Sequence, residues 1–211
     1  MLAGTPRKDF GADKYVIGVD EAGRGPLAGP VVAGAVVLCK PRPAGLDDSK
    51  KLSAKRREKL DGLIRARCAW AVGVVEVDQI DTLNILGATM LAMTQAVARL
   101  DTLLGGIPEV ILIDGNMSPA GRCEEWQAEK WGQGRPIIVG DAIEPTISAA
   151  SIVAKEWRER MMLEAAQQFP QYGWERNKGY GTKDHMSALR EHGPTPLHRR
   201  SFAPVAQLTL I

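Results

Sequence analysis

The stretch YVIGVDEAGRGPLAGPVVAGAVVLC, residues 15–39, decides how the rest of the chain is read. Its first part, YVIGVD, alternates as a strand does and runs into a glycine-rich turn. Its last part, PVVAGAVVLC from residue 30 to 39, is a β-branched apolar run that predicts a second strand. The link between them is short, so the two strands are expected to pair antiparallel. The turn is not a dinucleotide-binding loop. Gly23, Gly25 and Gly29 give G-x-G-x-x-x-G, and Pro26, Pro30 and another strand follow where that fingerprint needs a helix. Asp20 and Glu21 before the turn would also repel a pyrophosphate.

Outward from this stretch, strands and helices mix. Residues 69–77 (AWAVGVVEV), 109–114 (EVILID) and 136–140 (PIIVG) predict three more strands. Helices are predicted at about 54–68 after a Ser53 cap, at 85–103, at 146–169, and at 182–191 before Gly193. The order implies one α/β domain with a mixed five-stranded sheet flanked by helices and a C-terminal helical segment. The later strands, joined by helical connections, are expected to be parallel. The domain is taken as 15–205, between a flexible N-terminal tail (1–14) and a C-terminal tail (206–211). Residues 117–135 read as a polar excursion.

The 211 residues suffice for a proper core, and 45% apolar and 25% charged content is ordinary for a globular chain. No apolar run approaches the roughly 20 residues of a membrane helix. The first residues lack an apolar signal core. Cys39, Cys68 and Cys123 are odd in number and widely spaced, which points to reduced thiols in the cytoplasm and not to a disulfide or zinc framework. The net charge of +2 says little, but Lys50, Lys51, Lys55, Arg56, Arg57 and Lys59 form one basic cluster and Arg199 and Arg200 another. Such clusters can track a phosphate backbone, and a solvated helix face explains the 55–59 group equally well.

Acids stand at the ends of predicted strands: Asp20 and Glu21 after the first, Asp114 at the end of the fourth, Asp141 after the fifth. Ligands of open α/β sheets collect outside the carboxyl ends of the strands. Four carboxylates gathered there repel one another unless cations hold them. Oxygen donors without His or Cys select Mg²⁺ or Mn²⁺, and two such ions suit an in-line displacement at phosphorus. Each acid also has a plain reading: Asp114 before Gly115 as a turn residue, Asp141 as a loop acid. Asp20 and Glu21 are adjacent, so in a regular strand they face opposite ways and share a site only if the strand ends or twists there. Arg24 between glycines can meet a phosphate, and a close backbone approach can test for a 2′-hydroxyl. A tight turn without a ligand uses the same residues.

The blocks VIGVDEAGRGPLAGPVV, LDDSKKLS, LNILGATMLAM, ILIDGN, ISAASIVAK, FPQYGWERNKGYGT and HRRSFAPV, in this order, resemble bacterial ribonuclease HII from about Tyr15 to Val205. The resemblance implies a ribonuclease H-like fold and an endonuclease. It would cut the RNA strand of RNA–DNA hybrids and cut 5′ of single ribonucleotides in duplex DNA, leaving 5′-phosphate and 3′-hydroxyl ends, in ribonucleotide and primer removal. It implies Asp20, Glu21, Asp114 and Asp141 as ligands of two divalent ions. Gly23, Arg24 and Gly25 are then the motif that reads the ribonucleotide through backbone contacts, and Tyr180 stacks on the deoxyribose that follows. Lys50 is implied as a phosphate contact, with Asn84, Lys178 and Thr182 as further candidates.

Ser148, Ala149, Ala150 and Ser151 are read as close helix-to-sheet packing, the five tryptophans as core or loop anchors, and His185, His192 and His198 as non-catalytic. The 117–135 stretch is longer and more polar than the family's usual connection. Only about fourteen residues precede strand one, which disfavours the ribonuclease HIII branch with its additional N-terminal domain. The last five residues, QLTLI from Gln207 to Ile211, resemble clamp-binding peptides, although Ile211 departs from the usual aromatic; an apolar tail packed on its own domain is the other reading. A monomer suffices. The competing functional readings are a nuclease of this fold with another nucleic-acid substrate and a non-catalytic hybrid-binding module. Metal-dependent turnover separates the module from the enzymes.

Overall fold

The structure, a computed structural model, describes residues 2–4, 14–46 and 52–209. Five strands, β1 (Val16–Ala22), β2 (Val31–Val37), β3 (Ala69–Val75), β4 (Val110–Asp114) and β5 (Arg135–Ile137), form one mixed sheet in the order β3-β2-β1-β4-β5. β1 and β2 pair antiparallel from Gly18↔Val36 to Ala22↔Val32, whereas β1–β4 and β4–β5 are parallel. One expectation fails here. β3 pairs antiparallel with β2, starting at Val37↔Ala69, because the chain returns through helix α1 (Ala54–Arg67) to the end of the sheet where β2 stopped.

Both faces of the sheet are covered, which is why β2 reads as an unbroken apolar run. Val31, Ala33, Ala35 and Val37 join one core with helix α2 (Val77–Leu104), while Val32 and Val36 join a second beneath α1 and the later helix α5 (Pro145–Gln168). α2 is long and apolar enough by length and composition to cross a membrane, contrary to the sequence expectation; it packs instead on β2 and β3. The sequence predicted only its second part. Asn84 (φ 58°) breaks the helix, and its side-chain oxygen accepts from the amides of Leu86 (2.9 Å) and Gly87 (3.2 Å), so a separate helical segment precedes it.

The 117–135 excursion is not simply polar. Helix α3 (Ala128–Trp131) lies within it, and Trp126 and Trp131 are buried edge to face with centroids 5.2 Å apart, as core anchors. β5 is shorter than predicted and starts one residue earlier. After it Val139 adopts a left-handed conformation (φ 58°), and helix α4 (Gly140–Ile143) begins at once.

Helix α5 (Pro145–Gln168) crosses the sheet closely. A Cβ at Gly18 would overlap its backbone at Thr146, and one at Gly34 would meet the Ala150 carbonyl, as the small-residue run on α5 implied. Beyond α5, α6 (Trp174–Asn177), α7 (Lys183–His192) and α8 (Ala203–Ala206) enclose a third core built around Leu27, Met162, Tyr172, Trp174, Leu189 and Val205.

Candidate active site

β1 continues past the end of its pairing with β4. The last parallel pair is Val19↔Ile113, so Asp20 stands beside Asp114 where the sheet opens between the two strands. Of the two alternatives the sequence left open, an end or a twist of the strand, the strand does not end at Glu21. It stays paired with β2 through Ala22, and the two acids meet at one cleft because β1 has an open edge there. Asp20, Glu21 and Asp114 line that cleft with Gly23, Arg24, Gly25, Lys178 and Tyr180.

Burial and close neighbours work against the charge of the acids in this corner. Asp20 is 5% exposed; burial first, then Glu21 and Asp114, holds its carboxyl well above the usual range, against a hydrogen bond from Ser151. Burial also raises Glu21, with Arg24 opposing through a 3.3 Å contact from Nη1 to Oε1. The Glu21 amide donates to Asp20 Oδ1 at 2.7 Å. A hard divalent cation relieves this kind of repulsion, and its binding expels protons from the ligands. The donor set fits such an ion in chemistry. Among the described residues, however, no three carboxylate, imidazole or thiol groups are already gathered as a cage.

Asp141 comes after β5, as the sequence implied, and belongs to the first turn of α4; it is buried and stands apart from the residues that line the cleft. Its backbone amide donates to Asp114 Oδ1 at 3.2 Å, which ties the two acids together. The left-handed Val139 produces this placement by turning the chain straight from β5 into a helix.

The weaker candidates separate. Lys178 lines the cleft in a left-handed conformation, its Nζ donating to Glu175 O at 2.8 Å. Tyr180 is 52% exposed on the cleft wall, not a packed loop aromatic. Asn84 is absent from the cleft lining and caps the second part of α2. Thr182 also lies off the lining and caps α7, accepting from the His185 amide at 3.3 Å. Lys50 lies outside the described residues. His185 and His198 are buried in the C-terminal core.

Sequence reasoning missed Ser151, Lys155, Arg158 and Glu159 on the cleft wall. Their i, i+4, i+7, i+8 spacing places them on one face of α5, a signal available in the sequence. Ser151 therefore does more than allow packing, since it hydrogen-bonds Asp20.

A mixed sheet with acids where β1 and β4 open, walled by a glycine-rich loop, defines the ribonuclease H-like class of nucleases. Two solved structures share the architecture. One is "Crystal structure of Bst-RNase HIII in complex with Mn2+", with a TM-score of 0.72 and 20% identity, covering 96% of this chain and 71% of that one. The other is "Structure of the PCNA:RNase HII complex from Archaeoglobus fulgidus", with a TM-score of 0.68 and 28% identity, covering 88% and 93%. The sequence pattern of the family "Ribonuclease HII" matches residues 17–205. A protein of Erythrobacter litoralis named "Ribonuclease HII" is 68% identical over 199 residues, 94% of this chain and 92% of its own. This chain belongs to the ribonuclease HII family, and it is an endoribonuclease acting on the RNA strand of RNA–DNA hybrids.

Proposed function

We propose that this ribonuclease also cuts on the 5′ side of single ribonucleotides embedded in duplex DNA, using two divalent ions and leaving 5′-phosphate and 3′-hydroxyl ends. The carrying observation is that Asp20, Glu21 and Asp114 crowd one cleft whose opposite wall is the Gly23–Gly25 loop and Tyr180. Asp20, Glu21, Asp114 and Asp141 are the proposed metal ligands, and the all-oxygen set selects Mg²⁺ or Mn²⁺. A related structure, of RNase HIII, holds Mn²⁺. Bound ions supply an activated water and neutralise charge on the leaving oxygen.

The chain's own residues do the rest. Ser151 orients Asp20, and the Asp141 amide orients Asp114. Gly23, Arg24 and Gly25 present backbone to the ribose. Tyr180 supplies an exposed ring for the neighbouring sugar, and Lys178 supplies charge for phosphate. Lys50 is proposed as another phosphate contact. The cellular role proposed is ribonucleotide and primer removal in the cytoplasm.

The test is a labelled duplex with one ribonucleotide, incubated with Mg²⁺, with Mn²⁺ and with chelator. The expected result is metal-dependent cutting 5′ of the ribonucleotide, reduced at least roughly 10³-fold by Asp114→Asn. An intact duplex alongside a cut long hybrid refutes the junction reading; binding without turnover on either substrate identifies a hybrid-binding module.

Clamp binding through Gln207–Ile211 is a separate proposal, prompted by the archaeal relative solved with PCNA. Against it, Leu208 packs on the third core, and Leu210 and Ile211 lie outside the described residues. Deleting 207–211 should abolish retention on a sliding clamp while free-enzyme cleavage persists; unchanged retention rejects the proposal.

A further inference from the structure

Beneath the glycine loop lies a fully buried cation, Arg199, whose side-chain hydrogen bonds among the described residues all go to carbonyls, with Asp81 acting on it only at longer range. Arg199 donates Nε to Gly29 O (3.0 Å) and Nη1 to Arg24 O (3.0 Å). Its Nη2 reaches Gly23 O (2.6 Å), Gly29 O (2.8 Å) and Pro30 O (3.2 Å). Its guanidinium also lies over the Phe202 ring, 5.1 Å from the centroid. Burial pushes Arg199 down to about 9, so it remains charged at neutral pH. Interiors seldom keep such a charge for stability alone, because an apolar side chain fills the same space without desolvation. A planar fork bonded to four carbonyls instead dictates where those carbonyls point.

The direction matters because only Lys40–Pro41 is cis among the described peptides. In a trans peptide the carbonyl of one residue and the amide of the next point opposite ways. The Gly23 carbonyl turned in to Arg199 therefore turns the Arg24 N–H away from it. The Arg24 carbonyl does the same for the Gly25 N–H. Both residues are exposed and line the cleft, so these two donors are directed to the substrate side.

Arg158 works next to Arg199. Its Nε donates to Pro30 O, Nη2 to Ala28 O and Nη1 to Lys178 O, each at 3.0 Å, so one side chain sets the gap between the glycine loop and the segment carrying Tyr180. Arg199 is itself fixed at both ends. Its amide donates to Leu27 O (2.9 Å), and Asp81 accepts from the amides of Arg200 and Ser201 (both 2.9 Å).

We propose that Arg199, assisted by Arg158, is the positioning residue for the ribose-reading loop: it pins the Gly23 and Arg24 carbonyls inward and thereby aims the Arg24 and Gly25 amides at the ribonucleotide. The inference rests on the reading of Gly23–Gly25 as the ribose-contacting loop. It adds the device that gives the loop its shape.

The test uses Arg199→Lys, which keeps the charge but cannot span four carbonyls. Kinetics are read on a long RNA–DNA hybrid, so the result does not depend on whether single ribonucleotides are cut. The expected signature is a kcat lower by roughly 10²-fold with KM changed less than about threefold. Mn²⁺ affinity should be unchanged, and amide exchange faster at Arg24 and Gly25 but not in the sheet. A folded variant with kcat within about threefold of the parent overturns the proposal. So does a loss of kcat that tracks lost Mn²⁺ binding or loosening of the whole sheet. Arg158→Lys carries the same expectation and stands in if Arg199→Lys does not fold; failure of both to fold assigns the pair to stability and also overturns the proposal. A parent enzyme that cuts hybrids but leaves a lone ribonucleotide intact refutes the junction reading, and the Arg199 result on hybrids is judged separately.

Discussion

Helix α5 is joined to its neighbours through arginine in two ways. Toward α1, Arg57 donates Nε to Glu156 (2.5 Å) and Nη2 to Glu159 (2.8 Å), a buried cation matched by carboxylates. Toward the glycine loop, Arg158 and Arg199 are buried as deeply and donate their side-chain hydrogen bonds to carbonyls. The ionic junction fixes one helix against another. The carbonyl junction fixes the path of a backbone. The difference teaches that a buried arginine's partners indicate its purpose better than its burial does.

The largest effect expected from testing this contrast comes from Arg57→Met, which strands Glu156 in the interior. A loss of about 3 kcal/mol in urea unfolding is expected, because removing one partner leaves a buried charge unpaired. Adding Glu156→Leu should recover much of it. A loss below about 1 kcal/mol would rank the junction with surface pairs and weaken the contrast.

The second effect is a pH dependence of opposite sign at the two junctions. Behind the carbonyl-held side, His185 Nδ1–H donates to Tyr180 O (2.9 Å). Its Nε2 then accepts from Trp174 Nε1–H (3.1 Å) and from His198 Nε2–H (3.0 Å), and His198 Nδ1 accepts from the Thr195 amide (2.9 Å). This assignment needs both rings neutral. Burial, then the neighbouring His185, pushes His198 down to about 4, below its ordinary 6.5. Its contribution is therefore complete above about pH 6.5 and is lost as pH falls toward 4, up to roughly 3 kcal/mol. Glu156 is shifted up, chiefly by burial, so its contribution is present at low pH and lost as pH rises through its folded value. Urea midpoints between pH 7 and 4.5 should decline less steeply in His198→Gln; parallel slopes would acquit the imidazole.

The smallest effect distinguishes two glycines of one loop. Gly23 has φ 97°, and a Cβ there overlaps the Arg158 guanidinium, so Gly23→Ala should cost about 2 kcal/mol. At Gly25 an added Cβ meets only the Tyr180 ring, at an ordinary 3.5 Å. Gly25→Ala should leave stability within about 0.5 kcal/mol, yet slow hybrid cleavage, because the space it fills belongs to substrate. Equal stability losses would place both glycines in the loop's own packing.

Much of this was legible in the sequence where the signal was local. The apolar runs located β1 to β4, Ser53 marked the start of α1, and the acids marked the carboxyl edge. Asp141 was found after the fifth strand, but the helix that carries it was not, because a left-handed Val139 is not something a β-branched residue advertises. Asn84 and Thr182 stand in matching motifs, but each shows its capping role only through the helix that follows. Trp126 and Trp131 sit amid polar neighbours, and their burial depends on residues distant in the chain. Arg199 reads in the sequence as part of a basic cluster that can track phosphate; its carbonyl partners lie 169 to 176 residues away, beyond any local pattern.

That separation has a consequence for how the protein comes into being. Bringing residues so remote together carries a large loop-closure cost, and such contacts form late. During synthesis, Asp20, Glu21 and Asp114 emerge and their strands can pair well before Arg199 leaves the ribosome. A nascent chain halted short of that residue holds every acid of the site and lacks the brace that shapes the loop. If Arg199 shapes the loop as proposed, catalytic competence waits for the segment that carries it.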